Sequence, residues 1–571
     1  MIFAKPDLAL LHPPSVYDFR QLTFVPSPIS DLIPSTPVFE MYPIGFTFLG
    51  EYLERNGINA RVINLAQRML EDEGFDVPKF LSRIEPAAFG IDLHWLAHVQ
   101  GALEVARLVK QVHPKTPVIM GGYSATYFHR ELMGYPQVDY VLRGDSTEEP
   151  LRMLMESIMH GTATDSIPNL TYRAPDGGIV ENPLTYSPAS LEYLGNNYQY
   201  MIRSALKYGD WKSLRAFWNW WRYPVTMVLT CRGCTHDCAF CGGSRGALSH
   251  FCGREQVAYR APEKIAYDVE LLSQFTTAPI FIVGDLLQGG KDYAMETLEF
   301  ISHLAPKNHI VLELFGPAPR DFFDRVASSL EHFDFQISPE THDEKIRELT
   351  GKPYSNEELE RNIAWSLEAG CEKFDVFFMI GLPGQTHDSV METIDYCSEL
   401  LRNYGPLVNP SIGPLAPFID PGCSYYRESE HYGYHLIHHT LEDYSRASLY
   451  PNWRDLLGYE TRWMTRQDIV DVTYEALLAL NAIKANSGLI SPEHASLNDR
   501  RIRDTISLLT MVDDVLDIAD PGLQAAELDK LHRESEQLSK QLYLPKEELM
   551  WPVVGSRFRR LNVLRILMGW I

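Results

Sequence analysis

Short apolar runs alternate with helical periodicity in two separate blocks of this chain, and this alternation restricts the possible folds more than any other feature. In the first block, over residues 8–160, the apolar runs are LALLH, ARVINL, AAFGIDL, PVIMGG and VDYVLRG. The alternation restarts at Val225 with TMVLT, PIFIVGD, HIVLELF, FDFQISPE and KFDVFFMIGLP, and it reaches a late strand near NPSIGPLAPF. Strands separated by crossover helices pair in parallel. The sequence therefore predicts two α/β domains.

The predicted organisation has four parts. Residues 1–165 form a doubly wound parallel sheet, and residues 166–224 form a linker with an aromatic helix. Residues 225–434 form a partial or full (β/α) barrel, and residues 435–571 are mainly helical. Such sheets bind ligands at the carboxyl ends of their strands. We therefore expect the binding edge of the first domain in the loops after His12, Asp92, Met120 and Leu142.

Charge and composition argue against several functional classes. The net charge of −24 is spread along the chain, whereas binding to a phosphate backbone needs clustered Lys and Arg, so we expect no nucleic acid partner. No apolar run approaches the ~20 residues of a membrane-spanning helix. The residues near Met1 lack the order of a secretion signal. These features predict a cytoplasmic protein.

Four of the eight cysteines lie within eleven positions, directly after the apolar run TMVLT. They are Cys231, Cys234, Cys238 and Cys241. Thiols at such close spacing suit a compact iron–sulfur cluster. A structural zinc site is the alternative, but it usually draws two close pairs of ligands from separated knuckles, and no second pair is present at the usual distance. The spacing favours an iron–sulfur cluster.

The spacing Cys234-x3-Cys238-x2-Cys241, with the aromatic Phe240 before the last cysteine, resembles the signature of the radical S-adenosylmethionine (SAM) superfamily. The resemblance implies that the three cysteines hold a [4Fe-4S] cluster, whose open iron binds SAM and cleaves it reductively to a 5'-deoxyadenosyl radical. It also implies an external one-electron donor such as flavodoxin or ferredoxin. Similar sequences have Ser or Thr at the position of Cys231. If Cys231 bound the fourth iron, only electron transfer would remain.

Over about residues 225–425 the resemblance extends to positions that contact SAM. It implies SAM-binding roles for Phe240, for Gly284 and Asp285 after the second barrel strand, for Glu340 at the end of FDFQISPE, and for Gly381 in MIGLPG. The glycine-glycine-glutamate form that is usual in this superfamily is absent. A carboxylate at a helix N-terminus is the structural alternative for Glu340. A glycine and proline turn is the alternative for Gly381.

The first domain resembles the cobalamin-binding domain that often precedes this kind of core. The matching pieces are the His12-Pro-Pro loop, Tyr42-Pro-Ile-Gly45, Gly121-Gly122-Tyr123-Ser124, and Arg143-Gly144-Asp145 ahead of Glu148. Their order over about 150 residues carries the resemblance, and no Gly-x-Gly-x-x-Gly turn of a dinucleotide site follows the first strand. A doubly wound sheet that binds a nucleotide, or that serves only as a docking platform, is the alternative.

Asp92-Leu-His94 resembles the element that supplies a cobalt ligand in other cobalamin proteins. It differs because it follows the third strand instead of the first, and because it lacks the glycine three positions beyond His94. The favoured interpretation is therefore that His94 or Trp95 faces the corrin, and ligation of cobalt by His94 is the alternative. The residues expected to bind cobalamin are His94, Trp95, Gly121, Gly122, Tyr123, Ser124 and Gly144.

Together the resemblances imply a cobalamin-dependent radical SAM enzyme that methylates an unactivated carbon of a small-molecule or lipid-like substrate. Radical cyclisation or rearrangement without methyl transfer is an alternative, and so is an iron–sulfur and cobalamin sensor or electron carrier. Arginines alternate with apolar residues over 551–571, and tryptophans are frequent over 211–221. Packing of the C-terminal segment on its own barrel is the favoured interpretation. Peripheral membrane contact with an apolar substrate is the hypothesis that both features together suggest.

Overall fold

The structure is a computed structural model, and it describes residues 5–23, 25, 27–32, 35–195, 197–213, 215–218, 220, 225–415, 419–541 and 547–553. Two large sheets dominate it, one in each half of the chain. The prediction of two α/β domains followed by a mainly helical region is confirmed.

The first sheet has seven strands in the order β2-β1-β3-β4-β5-β6-β7. The first five strands pair in parallel, as the alternation predicted, and the last two add on in antiparallel fashion. The strands are β1 (Leu8–His12), β2 (Ala60–Asn64), β3 (Ala88–Asp92), β4 (Val118–Gly121), β5 (Tyr140–Leu142), β6 (Leu170–Arg173) and β7 (Ile179–Glu181).

Helices cover both faces of this sheet, because its apolar strands need to be buried on both sides. One apolar core lies on each face. The helices are Gly45–Arg55, Leu65–Glu71, Val77–Leu81, Val99–Val112, Tyr123–Tyr127, His129–Leu132 and Glu148–His160. This arrangement directs the carboxyl ends of β1, β3, β4 and β5 to one edge.

The segment 166–224 differs from the expected linker and aromatic helix. It supplies β6 and β7 to the first sheet, and its helix is Asn197–Tyr208, whose Tyr200 and Met201 are buried in the first domain's core. Gly209, with φ +63°, ends that helix. The described residues of 211–220 form turns, and the buried Asp210 fixes their start by accepting hydrogen bonds from Arg61 and Arg68. The frequent tryptophans led to the prediction of a helix, but the described residues form turns. The ion pairs of Asp210 with Arg61 and Arg68 set the direction of the chain there.

The second sheet has six parallel strands in the order β15-β14-β13-β12-β11-β8, and it forms an open, partial barrel. Its strands are β8 (Thr226–Leu229), β11 (Ile280–Val283), β12 (Ile310–Leu314), β13 (Phe333–Glu340), β14 (Phe374–Ile380) and β15 (Val408–Pro414). A small antiparallel pair, β9 (Cys231–Arg232) and β10 (Ala258–Tyr259), follows β8. The outer helices are Arg245–Cys252, Pro262–Phe275, Lys291–Leu304, Arg320–Ser329, Glu344–Leu349, Asn356–Glu368 and His387–Tyr404.

The remaining described residues form a hairpin and a helical layer on the barrel. The hairpin strands are β16 (Tyr434–Leu436) and β17 (Tyr459–Thr461), and the helices are Ser424–Arg427, Ser429–Tyr432, Leu441–Ala447, Trp453–Leu456, Arg466–Asn486, Pro492–Leu516 and Pro521–Gln541. A capping box of Thr465 and Asp468 starts the helix that packs on His387–Tyr404.

Within the described ranges, no helix combines the length and apolar character that crossing a membrane requires. The predicted basic amphipathic segment lies outside the described residues, apart from residues 551–553.

Candidate functional site

The cysteine loop lies at the carboxyl end of the first barrel strand, as the sequence predicted. Cys234, Cys238 and Cys241 are all partly buried and carry free thiols. The backbone N–H of His236 donates to Cys234 Sγ at 3.4 Å, and that of Gly243 donates to Cys241 Sγ at 3.3 Å. Such N–H groups stabilise thiolate sulfur, which is the form that binds metal.

The surroundings of the three thiols fit ligation to a metal cluster. Burial raises the pKa of Cys234 to about 11, and it also raises the pKa values of Cys238 and Cys241. Thiols with such pKa values are protonated near neutral pH, so binding of iron must release their protons. Three thiols from one short loop match the kind of donor set that an iron–sulfur cluster needs.

Two other segments hold the cysteine loop in place. The backbone N–H of Ala239 donates to Thr350 O at 2.9 Å, and Gly351 has φ +89°, where a Cβ would lie 2.9 Å from Asp237 O. On the other side, Gly242 N–H donates to Asp420 Oδ2 at 3.1 Å. Burial raises the pKa of Asp420 to about 6. These contacts fix the loop before any cofactor binds.

Cys231 lies on β9, opposite Tyr259 of β10. Its thiol is buried, and it would be 3.3 Å from a Cβ on Gly284. Its Sγ lies 4.0 Å from Gly233 O. Cys231 therefore packs against the end of the neighbouring strand β11.

Replacement of Cys231 by alanine is expected to leave both the cluster and SAM cleavage at wild-type levels, because the thiol fills a packing position next to Gly284. Iron and sulfide content per chain and the formation of 5'-deoxyadenosine measure this. Loss of the cluster in Cys231→Ala would instead make Cys231 a fourth ligand and favour the electron-carrier alternative.

A buried ion pair lies beside the cysteine loop. Glu340 ends β13 with φ +69°, and its Oε1 accepts a hydrogen bond from Lys352, whose Nζ is also 5.6 Å from the centroid of the Phe240 ring. Burial lowers the pKa of Lys352, but the Glu340 carboxylate outweighs this effect and holds that pKa above its ordinary value. Glu340 Oε2 is buried and has no hydrogen-bond partner among the described residues. This orphaned oxygen suits an ammonium group of a ligand.

Gly284 and Asp285 follow β11, and Glu313 of the adjacent strand β12 contacts Gly284. Gly284 has φ +94°, and its N–H donates to Glu313 Oε2 at 3.0 Å. Asp285 accepts from the N–H groups of Leu287 at 2.8 Å and Phe315 at 2.9 Å, so both of its oxygens already have backbone partners. Burial raises the pKa of Asp285 to about 6. Asp285 therefore stabilises the backbone after β11, whereas the side chain of Glu313 faces the interior of the barrel.

Gly381 follows β14, where the C-terminal hairpin approaches closely. It has φ +96°, and a Cβ there would lie 2.6 Å from Tyr459 Oη. Tyr434 Oη donates to Gly381 O at 2.8 Å, and Gly381 N–H donates to Gln385 Oε1 at 2.9 Å. Glycine is therefore required here by the backbone conformation and by the packing of Tyr459.

Ion pairs join the first domain to the barrel next to the cysteine loop. Arg232 Nη1 donates to Glu148 Oε2 at 2.9 Å, and Arg254 Nη2 donates to Asp145 Oδ1 at 3.1 Å. Burial raises the pKa of Glu148, but Arg232 reverses this and holds it below its ordinary value. The Arg143-Gly144-Asp145 loop, expected near cobalamin, thus serves in part to dock the two domains.

The glycine loop after β4 also lies against the barrel. Gly122 has φ +114°, and a Cβ there would be 2.6 Å from the His94 backbone. The ring of Tyr123 would be 2.9 Å from a Cβ on Gly242 of the cysteine loop. Ser124 is buried, and Gly144 N–H donates to Thr126 Oγ1 at 2.9 Å. Their contact with cobalamin stays a prediction.

Three histidines and Asp92 form a buried network at the carboxyl ends of β1 and β3. Asp92 Oδ2 lies 2.6 Å from His94 Nδ1, and Asp92 Oδ1 lies 3.1 Å from His12 Nδ1. His12 and His98 each donate from Nε2 to Phe39 O, at 3.1 and 3.0 Å. Burial lowers the pKa of His98 to about 3, so it is neutral near pH 7. Burial raises the pKa of Asp92, but His12 and His94 outweigh it and hold that pKa below its ordinary value.

One ring nitrogen of His94 and one of His98 have no hydrogen-bond partner among the described residues, and both histidines line a cavity. His94 Nε2 receives no hydrogen bond from any residue that the structure describes, because Asp92 binds the opposite nitrogen. Trp95 packs edge-on against Phe39 with centroids 4.9 Å apart, and Phe39 has φ +51°. His94 and Trp95 are the two predicted cobalamin residues that line this cavity; Gly121–Ser124 and Gly144 do not line it.

The cavity, of about 330 Å³, lies between the first domain and the barrel. Its wall is predominantly apolar, and Gln336 and Asp375 are its polar barrel residues. The side chains that line it come from the first domain and the following segment (Leu32, Ser35, Phe39, Met41, His94, Trp95, His98, Phe217), from the barrel (Val225, Met227, Pro279, Phe281, Gln336, Asp375, Phe377) and from the C-terminal segment (Leu549, Met550, Trp551, Val553).

Several residues of this site were not predicted from the sequence. Glu313 could have been recognised as a candidate from the sequence, because it is the one charged residue in the apolar strand IVLEL. No local sequence pattern marks Lys352, Asp420 or Trp551, since each reaches the site through contacts with residues distant in the chain. Trp551 Nε1 donates to Asp375 Oδ2 at 3.1 Å and closes one side of the cavity.

Comparison with family models identifies both halves of the chain. Residues 32–152 match the B12 binding domain, and residues 228–397 match the Radical SAM superfamily. The chain thus carries a B12-binding domain followed by a radical SAM domain. The recognition made from the cysteine spacing and the first-domain pieces is confirmed.

Relatives agree with this assignment. The chain is 27% identical over 289 residues to hopanoid C-3 methylase of Methylococcus capsulatus, a match that covers 49% of this chain and 50% of that protein. It is 20% identical over 403 residues to cytidylyl-2-hydroxyethylphosphonate methyltransferase of Streptomyces wedmorensis, covering 63% and 73%. The match thus spans only half of the hopanoid methylase.

Solved structures share the fold over most of the chain. The radical SAM methyltransferase TsrM of Kitasatospora setae, with cobalamin and a [4Fe-4S] cluster bound, superposes with a TM-score of 0.56 at 14% identity, covering 93% of this chain and 99% of TsrM. The cobalamin-dependent radical SAM enzyme OxsB with aqua-cobalamin gives a TM-score of 0.57 at 11% identity, covering 99% and 84%.

Proposed function

We propose that this protein is a cobalamin-dependent radical SAM methyltransferase that methylates an unactivated carbon of an apolar small molecule. The observation that carries the proposal is the cavity shared by the two domains, with His94 and Trp95 on one wall and the apolar barrel interior on the other. Its volume of about 330 Å³ falls within the range of small-molecule sites. The methylase relatives support the reaction type.

A short chain of contacts links the cavity to the proposed SAM site. Gln336 lines the cavity and lies beside Glu313 on the adjacent strand, with Nε2 to Oε1 at 3.5 Å. Glu313 in turn accepts the N–H of Gly284 at 3.0 Å. A substrate in the cavity would therefore lie near the strand ends where SAM is proposed to bind. This proximity is what transfer of a group between two ligands requires.

The protein residues have distinct proposed tasks. Cys234, Cys238 and Cys241 hold the cluster, and Glu340 Oε2 accepts a hydrogen bond from the SAM ammonium group while Lys352 holds Oε1. When bound, the cluster, SAM and cobalamin supply the reductive cleavage of a carbon–sulfur bond and the methyl group. The apolar cavity wall excludes water from reactive species.

The apolar wall favours a hydrocarbon-like substrate over a charged one. Phe281, Phe377 and Trp551 form its barrel side, and the Trp551 and Phe281 rings are 5.7 Å apart. A charged substrate would lose its hydration without a matching set of partners. Asp375, the one carboxylate on the wall, already accepts hydrogen bonds from Asn409 and Trp551.

The test is an anaerobic reaction with SAM that carries a trideuterated methyl group, a chemical reductant and a panel of apolar polycyclic lipids, hopanoids included. The expected result is a product in which CD3 replaces hydrogen, together with 5'-deoxyadenosine. A changed but unlabelled product would support cyclisation or rearrangement. Absence of SAM cleavage in cluster-loaded protein would support a sensor or electron carrier. Flavodoxin or ferredoxin is the proposed electron donor in the cell.

His94 is the residue proposed to hold the cobalt of cobalamin, because it lines the cavity and because Asp92 Oδ2 lies 2.6 Å from its Nδ1, which would leave Nε2 available. A carboxylate on the far nitrogen fixes the tautomer and raises the basicity of a ligating histidine. In protein labelled with 15N-histidine, the electron paramagnetic resonance spectrum of bound cob(II)alamin is expected to show a 15N doublet splitting. His94→Ala should lose it, and the exposed control His160→Ala should keep it. Splitting by 14N, or none, in the labelled wild type would remove His94 as a ligand.

A further inference from the structure

A second group of ligating side chains lies far from the cysteine loop, at the amino ends of three neighbouring barrel strands. His309 directly precedes β12, His332 directly precedes β13, and Glu372 lies two residues before β14. Because these strands are parallel neighbours, their amino ends lie side by side. The group is thus on the edge of the barrel opposite to the cysteine loop.

The Glu372 carboxylate approaches both imidazole rings. Its Oε1 lies 2.6 Å from His332 Nδ1, and its Oε2 lies 3.6 Å from His309 Nε2. The two rings stack at a centroid distance of 5.0 Å with an interplanar angle of 21°. One ligand atom from each of the three residues lies within 4.8 Å of the other two. A single small ion could therefore contact all three after small side-chain movements.

Asp334 orients His309 towards this point. Its Oδ2 lies 3.1 Å from His309 Nδ1, which leaves Nε2 directed at Glu372. The side chain of Asp334 is 0% exposed, and its Oδ1 has no hydrogen-bond partner within the described ranges. A buried carboxylate on the far nitrogen is the usual companion of a metal-ligating histidine. Glu372 and His332 remain partly exposed, so a metal ion can reach the site from solvent.

We propose that His309, His332 and Glu372 bind a divalent transition metal ion, with Zn²⁺ as the best match, and that Asp334 orients His309 for this purpose. Two imidazoles and one carboxylate suit zinc, whereas magnesium and calcium prefer oxygen ligands throughout. The ion would take the place of the hydrogen bond between His332 Nδ1 and Glu372 Oε1. The bound ion would hold the amino ends of β12, β13 and β14 together, and this role is independent of the iron–sulfur cluster.

The test uses the full chain with its iron–sulfur cluster in place, so that the cysteines are occupied. After exposure to Zn²⁺ and desalting, the wild type is expected to retain about one zinc per chain by mass spectrometry, with a higher melting temperature than the zinc-free protein. Glu372→Gln removes a partly exposed ligand without emptying the core and should lose the zinc and the thermal shift. Asp334→Asn should weaken zinc affinity by about 10–100-fold.

The exposed His303 provides a matched control, because it lies on the adjacent helix outside the group. His303→Ala should bind zinc like the wild type. Equal zinc retention by wild type and Glu372→Gln, or no retention by folded wild type, would overturn the proposal and leave the three residues as a hydrogen-bonded ion-pair group.

Discussion

Replacement of Cys234, Cys238 or Cys241 by alanine is expected to abolish the formation of 5'-deoxyadenosine from SAM. Each of the three contributes a thiol of the one short loop. Two of the sulfurs accept backbone N–H groups, from His236 to Cys234 Sγ at 3.4 Å and from Gly243 to Cys241 Sγ at 3.3 Å. Loss of one thiolate leaves an iron without its protein ligand. Iron and sulfide content, the visible absorption of the cluster and the quantity of 5'-deoxyadenosine provide the measurements.

Cys252→Ala is the matched control, because Cys252 is also buried and close in sequence but lies at the end of the helix Arg245–Cys252. It should retain the cluster and SAM cleavage. Wild-type cleavage in any one of the three loop variants would contradict their assignment as cluster ligands.

Lys352→Met is expected to destabilise the barrel by about 3–5 kcal/mol, because it leaves the carboxylate of Glu340 buried without its counter-charge. Glu340 is 1% exposed and Lys352 is 8% exposed, so solvent cannot replace the missing partner. A loss of this size lowers the melting temperature of a domain of this length by about 6–20 °C. Thermal unfolding followed by circular dichroism provides the measurement.

Two further variants identify the cause of that loss. Lys345→Met changes an exposed lysine on the helix before Lys352 and should stay within about 0.5 kcal/mol of the wild type. The double variant Lys352→Met/Glu340→Gln removes the unpaired charge and should recover part of the lost stability. If the double variant were no more stable than Lys352→Met, lost packing against Phe240 would be the cause.

The local features of this protein could be predicted from its sequence because neighbouring residues encode them. The apolar runs became β1 to β5, β8 and β11 to β15 near their predicted positions, since the period of apolar residues depends on which face of a strand is buried. The cysteine loop could be predicted for the same reason, because a few neighbouring residues contain both the cysteine spacing and the strand that precedes it.

The roles of individual side chains could not be predicted from the sequence where one local pattern is compatible with two different roles. Asp285 and Glu340 both end barrel strands, yet Asp285 satisfies the backbone of Leu287 and Phe315, whereas Glu340 keeps one buried oxygen without a partner among the described residues. Gly381 was expected to face a ligand, and its lack of a side chain is also required by Tyr459, which belongs to the later hairpin.

The sequence by itself determined the two α/β domains and the cysteine loop that is proposed to hold the cluster, because both arise from short-range periodicity and spacing. The tertiary structure alone decided which polar groups face the shared cavity and which join the domains. Arg232 meets Glu148 across 84 positions of sequence, and Trp551 meets Asp375 across 176. Such pairs depend on how separately folded layers pack together, and a pattern of neighbouring residues carries no information about a partner that only this packing brings within reach.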